Sequence, residues 1–109
     1  MTVKQLAEAQ GFKAITLPSP EREVRGVYIG DLLSWVMGRA SEDDAWITIM
    51  SNINTVAVAT LSDVSCIILA EGVTMDEDVL NTATAKGINV LSTDESAYQA
   101  SKLLFASGL

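Results

Sequence analysis

Ala45-Trp46-Ile47-Thr48-Ile49-Met50, then Ser51-Asn52-Ile53-Asn54, then Thr55-Val56-Ala57-Val58-Ala59-Thr60-Leu61, and finally Ser65-Cys66-Ile67-Ile68-Leu69-Ala70 form the stretch that decides the fold. Its first and last runs are short, nearly continuously apolar and bounded by polar residues, the pattern of strands buried on both faces of a parallel sheet. The run from Ile53 to Leu61 connects them. Valine and threonine favour strand, so a hairpin turning at residues 51–54 competes with a crossover helix. A strand here would be apolar on both faces, with Val56 and Val58 on one and Ala57, Ala59 and Leu61 on the other. The alternation of a hairpin is missing, and helix is the favoured reading.

Either side of this unit the chain continues the same alternation. Thr2 to Gln10 reads as a short helix, with Thr2 and Gln5 at capping-box spacing and Gly11 to end it. Phe12 to Leu17 alternates like a strand, and Pro18-Ser19-Pro20-Glu21-Arg22-Glu23 can continue neither element, so it is a loop. Val24 to Ile29 is a second strand. After Gly30, Asp31 is placed to cap a helix that turns Leu32, Leu33, Val36 and Met37 to one side. Beyond Ala70, Thr74 and Glu77 have capping-box spacing before a helix to Lys86, with Gly87 as its stop. Ile88 to Leu91 is a short strand. Ser92 and Glu95 repeat the spacing ahead of a last helix, whose stripe is Ala97, Tyr98, Ser101, Leu104 and Phe105. The second half is thus a βαβαβα unit, which winds right-handed into a mostly parallel sheet with flanking helices.

Composition narrows the function. At 109 residues the chain is one domain, able to bury roughly 65% of its unfolded surface. With 49% hydrophobic and 19% charged residues it is globular rather than disordered. A net charge of -7 repels phosphate backbones and anionic lipid, which argues against nucleic-acid and membrane-surface partners. One cysteine permits no internal disulfide, and neither a signal peptide nor a membrane-spanning run is visible, so a cytoplasmic setting is expected. With no histidine, a serine nucleophile lacks its usual base and the common zinc sets cannot be built. Cys66 sits mid-strand and reads as an inert core residue. Asp43-Asp44 and Asp76-Glu77-Asp78 read as solvated charge. No catalytic residue, cofactor or metal is expected.

Three blocks carry a family resemblance. Val24-Arg25-Gly26-Val27-Tyr28-Ile29-Gly30-Asp31-Leu32-Leu33, Trp46-Ile47-Thr48-Ile49 and Gly87-Ile88-Asn89-Val90-Leu91-Ser92-Thr93 resemble the DRTGG domain. This small bacterial α/β module is similar to the N-terminal domain of HPr serine kinase/phosphorylase. The resemblance runs from Val24 to Leu104. It implies a regulatory or ligand-binding role, often in an oligomer, alone or fused to phosphate acetyltransferase or CBS-domain proteins. Where the family places Gly-Asp-Arg after its central strand, this chain has Ser51-Asn52-Ile53-Asn54; where it places paired glycines, this chain has Glu71-Gly72. No G-x-x-x-x-G-K-[ST] phosphate loop can be written, so no kinase activity is implied.

Ligands of open α/β sheets sit beyond the carboxyl ends of the strands. That edge gathers Gly30 and Asp31, then Ser51, Asn52 and Asn54, then Glu71 and Gly72, then Ser92, Thr93, Asp94 and Glu95 as a candidate polar crevice. Each is also a good cap or turn former. The expected occupant is a small molecule, a nucleotide or metabolite. Trp35 widens the apolar surface of its helix, so it either meets a second copy or a protein partner or packs under the Pro18 to Glu23 loop. The expectation is a non-catalytic, ligand-sensing α/β domain over residues 1–109 that works as a homo-oligomer; the alternative is an interaction adaptor without ligand.

Overall fold

In the computed structural model, which describes residues 1–109, the chain runs α1 (Val3–Glu8), β1 (Lys13–Thr16), β2 (Gly26–Ile29), α2 (Leu33–Arg39), β3 (Asp44–Thr48), α3 (Ile53–Ser62), β4 (Cys66–Leu69), α4 (Glu77–Ala85), β5 (Asn89–Ser92) and α5 (Ala97–Ala106). The five strands form one sheet in the order β1-β5-β4-β3-β2. Strands β2 to β5 are parallel, and β1 closes the far edge antiparallel to β5, with Lys13 opposite Ser92. The crossover from β3 to β4 is helical. The hairpin alternative, a turn at residues 51–54 into a second strand, fails because Ile53–Ser62 is helix α3, the crossover that the parallel pairing of β3 and β4 requires.

The continuous apolar runs are explained by two cores. Trp46, Ile67, Leu69 and Val90 point to the side covered by α2, α3 and α4, where Val36, Val56, Ala59 and Ala83 meet them. Ala45, Ile47, Cys66, Ile68 and Leu91 point to the side covered by α1 and α5, against Val3, Leu6, Ala100 and Leu104. Alternate residues of one strand therefore serve opposite cores, and neither face can be polar.

Several helix starts differ from the sequence reading. The Thr2–Gln5 capping box is present. Asp31 caps nothing: the residue before α2 is Leu32, without a side-chain cap. Helix α4 starts after Asp76 rather than Thr74, because Met75 turns inward and is buried first. Helix α5 is capped by Ser96, whose hydroxyl accepts the Gln99 amide, and not by Ser92. Its buried positions are Ala100 and Leu104, so Tyr98 and Phe105 of the expected stripe face outward.

The two tryptophans part company. Trp46 is fully buried, its indole N–H donating to the Gly30 carbonyl at 2.8 Å. Trp35 is 55% exposed with the Arg39 guanidinium 4.0 Å over its ring. The Pro18 to Glu23 loop does not cover it. That loop is tied to α1 through Pro20 and Arg22 carbonyls and to Asn89, whose side chain is buried and bonds both Ser19 and the Ser65 carbonyl.

Candidate functional site

Helix α4 leaves β4 towards one face of the sheet and α5 leaves β5 towards the other. Adjacent parallel strands whose connections part in this way open a crevice beyond their carboxyl ends. A cleft of about 560 Å³ lies there. The segment Gly72–Met75 and Leu80 form one wall, Ser92–Glu95 a second, and Gly11–Lys13 with Ile15 a third. The third wall exists because β1 is antiparallel: its beginning, not its end, lies beside the end of β5.

The base of the cleft is held by backbone bonds between its two loops. The Glu71 amide donates to the Glu95 carbonyl at 2.8 Å and the Gly72 amide to the Thr93 carbonyl at 3.0 Å. The Thr93 amide in turn donates to the Leu69 carbonyl at 2.9 Å. Glu71 and Gly72 both take left-handed backbone, with φ of 58° and 71°, which turns the chain sharply enough for these bonds to form. A β-carbon on Gly72 would lie 3.4 Å from an Asp94 carboxylate oxygen. Thr93 is only 3% exposed, and its hydroxyl accepts the Glu95 amide. Phe12, Ile15, Met75 and Leu80 give the cleft an apolar lining, with Lys13, Asp94 and Glu95 as charged groups around it. Such a mixture of apolar walls and a few polar groups, at this volume, suits an organic molecule of nucleoside size.

The expected site residues divide in two. Gly72, Ser92 and Thr93 line the cleft, and Glu71 supports it through the Glu95 carbonyl. Gly30, Asp31, Ser51, Asn52 and Asn54 lie at the ends of β2 and β3, outside it. Three of these are engaged locally. Gly30 accepts the Trp46 indole; Asp31 accepts the Thr48 hydroxyl and the Ile49 amide, both at 2.9 Å; Asn52 caps α3 by accepting the Asn54 and Thr55 amides. Phe12, Lys13 and Ile15 were not anticipated. Their strand is readable from its alternation, but its place beside β5 is set by long-range packing that leaves no local signal.

Little here is arranged for chemistry. Burial pushes the Cys66 thiol up to about 12, against a weaker opposing pull from the Arg22 charge, so it stays protonated and unreactive. Arg22 itself loses some of its charge preference to burial, but hydrogen bonds with Asp43 and Asp63 more than restore it and raise its pKa. That cluster lies at the opposite end of the strands from the cleft, where Arg22 contacts Asp43 at 3.1 Å and Asp63 at 2.9 Å. No helix is long and apolar enough to cross a membrane.

The model of the DRTGG domain family matches residues 6–107. Among solved structures, the chain is similar to the CBS and DRTGG domains of the regulatory region of Clostridium perfringens pyrophosphatase, complexed with its activator diadenosine tetraphosphate. The TM-score is 0.70 at 17% identity, covering 94% of this chain and 45% of that one. The likeness shows the fold, and this chain spans less than half of that regulatory region. No curated protein matches the sequence.

Proposed function

Because the chain belongs to the DRTGG domain family, we propose that it is a non-catalytic, ligand-sensing regulatory module whose small-molecule site is the cleft lined by Gly72, Ser92 and Thr93. The observation that carries this reading is the coincidence of cleft and switch point: a volume of about 560 Å³ opens where α4 and α5 depart to opposite faces. A nucleotide or related metabolite is the proposed occupant. Phe12 and Met75 offer apolar surface for a ring, Thr93 and Asp94 offer groups for its polar edge, and Lys13 is the cation available to a phosphate. That a similar regulatory region is complexed with a dinucleotide activator supports the choice. The buried, unpaired Cys66 is in keeping with a cytoplasmic setting.

Calorimetric titration with diadenosine tetraphosphate and with AMP tests the proposal, alongside native mass spectrometry of the freshly purified protein. Binding that is lost in Thr93→Val and kept in Asn52→Ala supports the cleft. Absence of binding, with no retained small molecule in the native spectrum, overturns it.

A second reading is favoured by one observation. Trp35 on α2 and Leu32 just before it are 55% and 61% exposed, an apolar patch at the start of that helix. On this reading the chain is a homo-oligomeric adaptor. A shift to monomer on Trp35→Ala without any ligand response in the wild type would select it.

A further inference from the structure

The loops of the cleft are poorly made for a phosphate chain. Phosphates at the strand ends of α/β sheets are taken by converging free backbone amides, above all those at a helix N-terminus. Here the loop amides are already spent. Those of Gly72 and Val73 donate to the Thr93 and Ala70 carbonyls, that of Thr93 to the Leu69 carbonyl, and that of Glu95 to the Thr93 hydroxyl. Helix α5 leaves on the other face, and none of its residues lines the cleft. Helix α4 reaches the cleft only through Leu80, and its first turn holds Glu77 and Asp78, whose charge opposes an anion there.

The side chains lead to the same conclusion. Lys13 is the one cation among the lining residues, and it is exposed, against the carboxylates of Asp94 and Glu95 in a chain of net charge -7. Each phosphate added beyond the first therefore meets repulsion without gaining a partner. Groups that suit a nucleoside are present instead. The Asp94 carboxylate leans across the crevice to Gly72, where a β-carbon would touch its oxygen at 3.4 Å, and it is exposed, so its oxygens are open to a ligand's hydroxyls. The neighbouring Thr93 hydroxyl accepts the Glu95 amide and keeps its own proton to donate. An anionic acceptor beside a hydroxyl donor matches the vicinal hydroxyls of a ribose, and the apolar walls of Phe12, Met75 and Leu80 match a base.

We propose that the cleft reads the nucleoside end of its ligand, with Asp94 accepting from the ribose hydroxyls, and leaves the phosphates in solvent. The proposal rests on the nucleotide reading of the same cleft and assigns the part of the molecule that supplies the affinity. Lys13 meets the first phosphate only, at the mouth. A dinucleoside polyphosphate then binds by one end, as a nucleoside with a solvated tail. A nucleoside, its monophosphate and its triphosphate become nearly equivalent signals, so the site senses the nucleoside pool and not its state of phosphorylation.

Calorimetric titration of the full chain with adenosine, AMP, ATP and diadenosine tetraphosphate, in magnesium-free buffer at low and high salt, tests this. The four are expected to bind within about tenfold of one another, with little difference between the two salt concentrations because Lys13 makes the one ion pair. Dideoxyadenosine, which lacks both ring hydroxyls of the sugar, is expected to bind the wild type about tenfold or more weaker than adenosine, and Asp94→Ala, a change at an exposed side chain, to remove most of that difference. Affinity that climbs with phosphate number and falls steeply with salt overturns the proposal while leaving the cleft a nucleotide site. Equal binding of dideoxyadenosine and adenosine overturns the role given to Asp94. Failure of all four to bind overturns the nucleotide reading and this proposal with it.

Discussion

The carboxylate of Asp31 and the hydroxyl of Thr48 lie 2.9 Å apart, and the same carboxylate oxygen accepts the Ile49 amide. A residue placed by its sequence to start α2 instead fastens the β2–α2 turn to the end of β3. Charge-assisted bonds of this kind contribute about 1.5–3 kcal/mol. Asp31→Ala is therefore expected to lower stability by about 2 kcal/mol in urea unfolding, with ligand affinity at the cleft unchanged.

Asn52 makes a similar point at the next loop. Its side chain accepts the Asn54 and Thr55 amides at 2.9 and 3.2 Å, whereas Asn54 takes part through its backbone and is exposed. Asn52→Ala is expected to cost about 1 kcal/mol, the usual worth of a helix cap, and Asn54→Ala to fall within about 0.5 kcal/mol of wild type. Equilibrium unfolding of the two variants side by side measures the difference.

Gly72→Ala strikes both stability and the cleft. At φ of 71° an L-residue is strained by about 1–2 kcal/mol, which disturbs the Gly72 amide bond to Thr93 at the base of the cleft, while the new methyl itself would only touch an Asp94 carboxylate oxygen at 3.4 Å. The expected result is a lower unfolding midpoint together with weaker binding of diadenosine tetraphosphate, read by calorimetry. Gly38, which has open space around it and ordinary backbone, should accept alanine without loss.

The buried thiol predicts an alkaline limit. Cys66 ionises near 12 in the folded chain against an ordinary value of 9.0. Because the unfolded chain loses the proton first, the stabilisation is complete below pH 9 and declines from there towards pH 12. The expected slope is roughly 1 kcal/mol per pH unit in that window, and Cys66→Ala should flatten it. A thiol reagent should label the wild type only after denaturation.

Sequence legibility followed the range of the forces involved. β3 and β4 were readable because residues on both their faces are buried, which leaves a continuous apolar run. Helix α3 was readable because its alternative required an alternation that Val56 to Leu61 lack. Helix starts were less so, since Asp31, Thr74 and Ser92 all have capping chemistry and only the packing of neighbours such as Met75 decides which is used. Of the candidate site, Gly72, Ser92 and Thr93 were found by their place at strand ends. Phe12 and Lys13 were not, because the partner of β1 lies at the opposite end of the sequence. The outward turn of Phe105 was hidden for a related reason: small Ala100, rather than a large residue, marks the side of α5 that meets the sheet.

The antiparallel pairing of Lys13 with Ser92 also sets when the cleft comes into being. One wall is made well before the other, so a nascent chain has no complete cleft until nearly the whole sheet has been translated and assembled. A molecule bound there as proposed would recognise only the folded domain, and by mass action would draw the folding equilibrium towards completion. On the proposed function, ligand supply and the abundance of folded chains are thereby coupled.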